Sequence, residues 1–190
     1  MHFCERSANY NRAMNALLET RESSADSVVQ RDLTPLDQTR FAFISNAHDP
    51  ATLAYSLSLA MQNMAVYLQA RGRDFDVVRW RETALRANFF LIHDAIDPAQ
   101  SRIGFLSLRE EPDCPNTTHI GDIQLEPRAQ NRGAGSAALR FSEALARAEG
   151  KNELTLNVFR DNPAIGLYER FGFLTIDYGF DKYKMRKVLA

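Results

Sequence analysis

Ile123-Gln124-Leu125-Glu126-Pro127-Arg128-Ala129-Gln130-Asn131-Arg132-Gly133-Ala134-Gly135-Ser136 is the stretch on which the fold of this chain turns. Its first residues continue an alternation that begins at His119. Ile123 and Leu125 fall on one face and Asp122, Gln124 and Glu126 on the other, so a strand is predicted over His119 to Glu126. A short loop follows, and then an amphipathic helix over Ser136 to Glu149, with Leu139, Phe141, Leu145 and Ala148 apolar and Gly150 as its stop. Two glycines therefore sit at a first helical turn, where about four N–H groups lack internal partners and the dipole end is positive. Without side chains at Gly133 and Gly135, an anion can approach that backbone closely, and Arg132 adds a positive charge. The pattern predicts a pyrophosphate cradle.

Two common phosphate-binding patterns fit it poorly. A Walker loop needs Lys followed by Ser or Thr after its last Gly, and Ala134-Gly135-Ser136 offers no Lys. Gly133-Ala134-Gly135-Ser136-Ala137-Ala138 satisfies the loose dinucleotide pattern, but that fingerprint wants its strand to run almost directly into the first Gly. Here Glu126 to Arg132 intervene, and no ribose-binding carboxylate clearly ends the next strand.

Outward from the cradle, helices precede and strands surround. Val28-Val29 begins a short candidate strand, and Thr34-Pro35 opens a helix with Thr as cap and Pro at the first position. A long helix is predicted from Asp49-Pro50 to Arg71-Gly72, with Leu53, Leu57, Met61, Met64 and Leu68 as its core-facing stripe. Met61, Met64 and Tyr67 are either core packing or the lining of a substrate cavity. A further helix covers Val77 to Arg86, so residues 36–86 read as helical. Strands are expected at Asn88 to His93 and Arg102 to Arg109. The Pro-containing stretch Glu110 to Thr118 reads as an exposed loop. Leu154, Leu156 and Val158 mark a strand, Asn162-Pro163 opens a short helix to Phe171, and strands near Phe173 to Ile176 and Lys182 to Leu189 close the chain. Several antiparallel strands and one strand–helix–strand crossover make an α/β (α+β) domain with a mixed central sheet flanked by helices.

Composition narrows the classes. The 190 residues carry a net charge of -1, which exerts no bulk pull toward nucleic acid or membrane. The longest apolar run is five residues, Met64 to Leu68, against the ~20 that a spanning helix needs. The first 30 residues contain no apolar stretch of the secretory kind, so a cytoplasmic protein is expected. Two cysteines, Cys4 and Cys114, predict neither a disulfide framework nor a zinc site, and no metal is expected. Residues 1–26 are polar and read as a tail, flexible or helical around Met14, Leu17 and Leu18. Residues 27–190 then form one domain.

The spacing Gln130-x-x-Gly133-x-Gly135, placed just after a strand, resembles the acetyl-CoA site of the GNAT acyltransferase superfamily. The run Val158 to Phe173, with its Asn162-Pro163-Ala164, Leu167-Tyr168 and Gly172-Phe173 landmarks, resembles that family's second signature. The resemblance covers about residues 28–189 and is specific over 119–173. Asn162-Pro163-Ala164 is a shortened form of the family pattern, which leaves the contact of Asn162 open.

What the resemblance implies is a GNAT acyl-CoA N-acyltransferase fold whose two central parallel strands, ending near Leu125 and Val158, splay apart. Pantetheine amides would fill the gap like an extra strand. The Leu125 N–H would polarise the thioester carbonyl. Pro127, Gln130, Asn131, Arg132, Gly133, Ala134, Gly135 and Ser136 would border the pyrophosphate, and Asn162 would bond the pantetheine arm. Tyr168 would protonate the departing thiolate, or would merely pack. His119 and Asp122 are candidates for the general base, but three residues apart on a regular strand they face opposite sides and cannot serve one site unless a bulge intervenes. The implied reaction is direct attack on acetyl-CoA by a primary amine of a small molecule or peptide in a ternary complex. A non-catalytic acyl-CoA-binding sensor or partner-binding module is the alternative. Residues 36–86, 94–101 and 110–118 are expected to shape the acceptor pocket, and a homodimer is compatible with the reading.

Overall fold

The structure, a computed structural model, describes residues 40–45, 49–96, 102–111 and 114–189. The candidate tail, the Val28-Val29 strand and the Thr34-Pro35 helix start lie outside the described residues, as does Cys4. In chain order the elements are β1 (Phe41–Ser45), α1 (Pro50–Gln69), α2 (Val77–Arg86), β2 (Asn88–Asp94), β3 (Arg102–Glu111) and β4 (Cys114–Leu125). They continue with α3 (Ala134–Ala148), β5 (Glu153–Phe159), α4 (Ile165–Arg170), β6 (Leu174–Tyr178) and β7 (Lys182–Val188). The seven strands form one sheet in the order β1-β2-β3-β4-β5-β7-β6. Only β4 and β5 run parallel, joined through the crossover helix α3, so the sheet is mixed as the element order implied.

The sheet has two unlike faces. One carries Phe90, Ile92, Leu106, Leu108, Ile120, Leu154, Leu156 and Met185, buried under Leu139 and Leu145 of α3. The other is apolar only toward β2 and β3, where Phe89, Leu91 and Phe105 pack on Leu59 and Ala60 of α1 and Ala84 of α2. Across β4, β5 and β7 this second face is polar apart from Phe159, on which Tyr67 of α1 stacks. The helices are cut as their sequences suggest: Asp49 caps α1 by accepting from the Thr52 N–H at 2.9 Å, with Pro50 at the first position, and Asp76 caps α2 through the Arg79 N–H at 2.9 Å.

Three expectations are corrected. Residues 36–86 are not all helical, because Phe41–Ser45 is a strand whose alternation buries Phe41 and stacks Phe43 on Phe141 with ring centroids 4.4 Å apart. The described residues of the 110–118 stretch are strand and not loop. Strand β3 runs to Glu111 and β4 starts at Cys114, with Pro115 tolerated because the ladder slips there from Glu110↔Thr118 to Glu111↔Cys114. The buried stripe of α1 is Thr52, Ser56, Leu59 and Ala60; of the predicted stripe Leu53 packs half-buried on that cluster, and Met61 is exposed.

Candidate active site

Strands β4 and β5 pair from Thr117↔Glu153 to Ile120↔Leu156 and then part. Gly121 marks the parting. Ser107 of β3 opposes Asp122 and Leu108 opposes Ile120, so Gly121 is an extra residue, a bulge that bends β4 away. A Cβ at Gly121 would stand 2.7 Å from Ser107 Oγ, which is why glycine sits there. Beyond it β4 is bonded only to β3. The Glu126 N–H donates to the Ile103 carbonyl at 2.8 Å, so by the antiparallel alternation the Ile123 and Leu125 N–H groups turn the other way, into the gap. The Leu125 carbonyl, turned the same way, accepts from Asn63 Nδ2 at 3.1 Å and Gln130 Nε2 at 3.2 Å.

The gap is a cavity of about 910 Å³. Its wall includes Leu125, Pro127, Gln130, Asn131, Gly133, Gly135, Ser136, Asn162 and Tyr168, nine residues the sequence singled out, together with Asp122. Arg132 and Ala134 are not on the wall: Arg132 is exposed and Ala134 is buried beneath the turn. The first intrahelical bond of α3 runs from the Ala137 N–H to the Gly133 carbonyl at 2.9 Å, which leaves the N–H groups of Ala134, Gly135 and Ser136 without partners inside the helix. Asn131 at φ 57° and Gly133 at φ 91° are the left-handed residues that fold the loop into this cradle. Gly135 lines the cavity and also packs. A Cβ there would meet Leu167 Cδ2 at 3.0 Å, so its smallness lets α3 approach α4. A pantetheine linked to a nucleoside diphosphate fits this site: an N-terminal cradle for the pyrophosphate and unpaired strand N–H groups for the amide arm. Asn162 Oδ1 is engaged, accepting from the Ala164 N–H at 2.9 Å.

The bulge brings His119 and Asp122 to one face, because their partners Arg109 and Ser107 are two residues apart on β3. Their surroundings nonetheless differ. His119 is buried and does not line the cavity, and its Nδ1 lies 2.9 Å from both Glu111 Oε2 and Thr155 Oγ1. Burial, reinforced by Arg109, pushes its pKa down to about 4. Burial would raise Glu111, but bonds from Lys184 and Thr155 hold it below its usual range. Asp122 lies on the cavity wall, accepting from Ser107 Oγ at 3.2 Å and Gln124 Nε2 at 3.3 Å. Burial raises its pKa against those two bonds. Tyr168 reaches the gap from α4. Burial, with Asp122 nearby, pushes its phenol up to about 12, so it holds its proton at physiological pH.

The other side of the cavity is built from residues the motifs did not reveal. Gln62, Asn63, Met64 and Tyr67 of α1 and Lys182 of β7 line it, whereas the described residues of the 110–118 stretch do not. Asn63 Nδ2 also bonds Gln124 Oε1 at 3.0 Å and thereby ties α1 across the gap. Met64 and Tyr67 had been legible as candidates. Nothing around Lys182 signalled it. Among the described residues no group of His, Cys, Asp and Glu could hold a metal ion, and no helix is long and apolar enough to cross a membrane.

A mixed sheet that opens between its two parallel strands, with a helix N-terminus at the mouth, is the architecture that the sequence resemblance implied. Residues 59–173 match the acetyltransferase (GNAT) family, and the chain belongs to that family. Solved structures share the fold. A GNAT-family protein from Desulfovibrio desulfuricans superposes with a TM-score of 0.60 at 18% identity, over 79% of this chain and 99% of that one. The PaiA N-acetyltransferase of Thermoplasma acidophilum, solved with coenzyme A, gives 0.58 at 17% identity over 77% and 99%. The NatC complex bound to Gag peptide and CoA gives 0.63 at 15% identity over 80% and 99%.

Proposed function

We propose that the protein transfers the acetyl group of acetyl-CoA to a primary amine in a ternary complex. The observation that carries this reading is the gap itself: strand N–H groups turned into it, a phosphate cradle at its mouth, and Asp122 and Tyr168 on its wall. In this reading the N–H groups of Ala134, Gly135 and Ser136 hold the pyrophosphate, and the Leu125 N–H faces the thioester oxygen, where negative charge develops. Asp122, rather than the walled-in His119, takes a proton from the incoming ammonium. Its raised pKa moves it toward the operating pH, where a general base works best. The amine nitrogen then bonds to the acyl carbon and the carbon–sulfur bond breaks. Tyr168 gives its proton to the sulfur and regains one as the new amide nitrogen sheds its second. The acceptor, a small molecule or a peptide amine, enters over Met64 and Tyr67 of α1. The coenzyme-A-bound relative supports the choice of donor.

Thiol release from acetyl-CoA over a panel of amines and amino acids tests the reading. Amine-dependent release is expected. Tight CoA binding in calorimetry with no release for any amine would instead favour a non-catalytic acyl-CoA-binding module on the same fold.

A further inference from the structure

The cleft contains a cation with no counter-ion. Lys182 stands on β7 opposite Phe159, and its Nζ lies 4.4 Å from the Phe159 ring centroid. Tyr67 stacks on the same ring at 5.4 Å, so an aromatic floor runs from α1 to Lys182. The carboxylates nearby are committed elsewhere. Asp161 takes two bonds from Arg71, at 3.2 and 3.0 Å, and Asp181 is held by Arg71 at 3.3 Å and by Arg73. Asp122 accepts from Ser107 and Gln124. Among the described residues none comes within ion-pairing distance of Lys182. Lys182 is exposed into the cleft. Burial, Arg73 and Arg79 lower its pKa, and Asp122 and Asp181 oppose them without pairing with it. An anion such as a carboxylate that enters the cleft can therefore reach the ammonium and bond to it.

That anion is not the pyrophosphate of the donor. The α3 cradle follows β4, whereas Lys182 lies beyond β5 on the other wall of the gap. Lys182 also shares a face with Asp122. On β7 it alternates with Tyr183, which packs into the core on the α3 side, so Lys182 points to the α1 side, as Ser107 and Asp122 do. Both charges therefore border the acceptor half of the cavity.

We propose that the acceptor is an amine carrying its own carboxylate, an amino acid rather than a polyamine or neutral amine, whose carboxylate pairs with Lys182 while its nitrogen lies at Asp122. The proposal rests on the acetyl-transfer reading above and deepens it. The Phe159 and Tyr67 rings lie between the two charges' walls and offer apolar contact to the acceptor's carbon skeleton.

The test compares amino acids with their carboxamides, which keep the amine and the side chain and lose only the negative charge. The preferred amino acid should exceed its amide at least about tenfold in kcat/KM, mostly through KM. K182M should bring the two values together, and K182E should invert the preference. Equal kcat/KM for acid and amide in the wild type would overturn the proposal while leaving acetyl transfer intact, as would K182M lowering both alike. If no amine is acetylated, the transfer reading fails separately. Calorimetry of amino acids against the CoA-loaded protein, wild type and K182M, then reads the carboxylate site directly, and binding indifferent to Lys182 would refute it.

Discussion

The two halves of β4 carry the same kinds of residue to opposite ends. Up to Ile120 the strand is paired with both β3 and β5, and its His119 is closed in by Glu111, Thr155 and, through Glu111, Lys184. After Gly121 it is paired with β3 alone, and Asp122 faces a cavity shared with Tyr168 and Lys182. A histidine, a carboxylate and a lysine meet in the first half; a carboxylate, a phenol and a lysine border the second. The difference is satisfaction. In the closed half Glu111 answers both His119 and Lys184, with Lys184 Nζ 3.1 Å from Glu111 Oε1, although the buried Arg109 Nε there has no hydrogen-bond partner. In the open half, burial raises Asp122 and lowers Lys182, and neither ion pairs with the other. One bulge residue thus divides, on the proposed reading, structural chemistry from reactive chemistry on a single strand.

The comparison breaks most readily at Asp122. Asp122→Asn keeps the shape and removes the base, so kcat/KM for the acceptor should fall by about 10²–10⁴, the range of a positioned general base. CoA affinity should hold. Stability should not drop, because a carboxyl whose folded pKa lies above its unfolded one withholds stability at neutral pH and returns it as pH falls. Steady-state kinetics beside thermal melts check this. A variant that loses melting temperature and keeps its rate would place Asp122 with the structural half.

His119 should respond in the opposite sense. Its folded pKa near 4 lies below the unfolded value of 6.5, so its contribution is complete above pH 6.5 and is lost as pH falls through the window between them. Urea unfolding of the wild type should therefore give about 2 kcal/mol less stability from this group at pH 5 than at pH 7. The lowered Glu111 titrates below its usual carboxylate range and so adds its loss at lower pH. His119→Gln should flatten the slope between pH 7 and pH 5. A rate loss of Asp122's size from this variant, still folded at pH 7, would return the base to His119.

Which half is which was not legible in the sequence. Strand alternation located β4, and the glycine spacing located the cradle, because local geometry and backbone freedom are written in neighbouring residues. The bulge was not written there. Gly121 looks like any glycine until Ser107, far along the chain, occupies the space of its missing side chain. Lys182 escaped for the same reason, since only the pairing of β7 with β5 carries it to the gap. The α1 stripe misled in part because its leucines gave the stronger periodic signal, whereas the buried face carries Thr52, Ser56, Leu59 and Ala60. The packing of Gly135 against Leu167 was invisible in the sequence for the same reason as the bulge.

Tyr168 gives the smallest effect and the sharpest one. It sits on the far wall of the open half, on α4, with its ring edge-on to Phe173 at 6.0 Å. Among the described residues its hydroxyl forms no hydrogen bond within the protein, so Tyr168→Phe removes a group that the fold does not use. The ring packing persists, and the melting temperature should stay close to that of the wild type. A phenol held near 12 gives up its proton only to a strong acceptor, and the thiolate leaving a thioester is a comparatively stable anion. The donor therefore helps without being indispensable. With chemistry rate-limiting, kcat should fall by roughly tenfold, the low end for a positioned acid, with acetyl-CoA affinity unchanged. Wild-type kcat in this variant would make the ring, and not the hydroxyl, the reason for a tyrosine at 168. The reactive half of β4 would then act through Asp122 and the backbone alone.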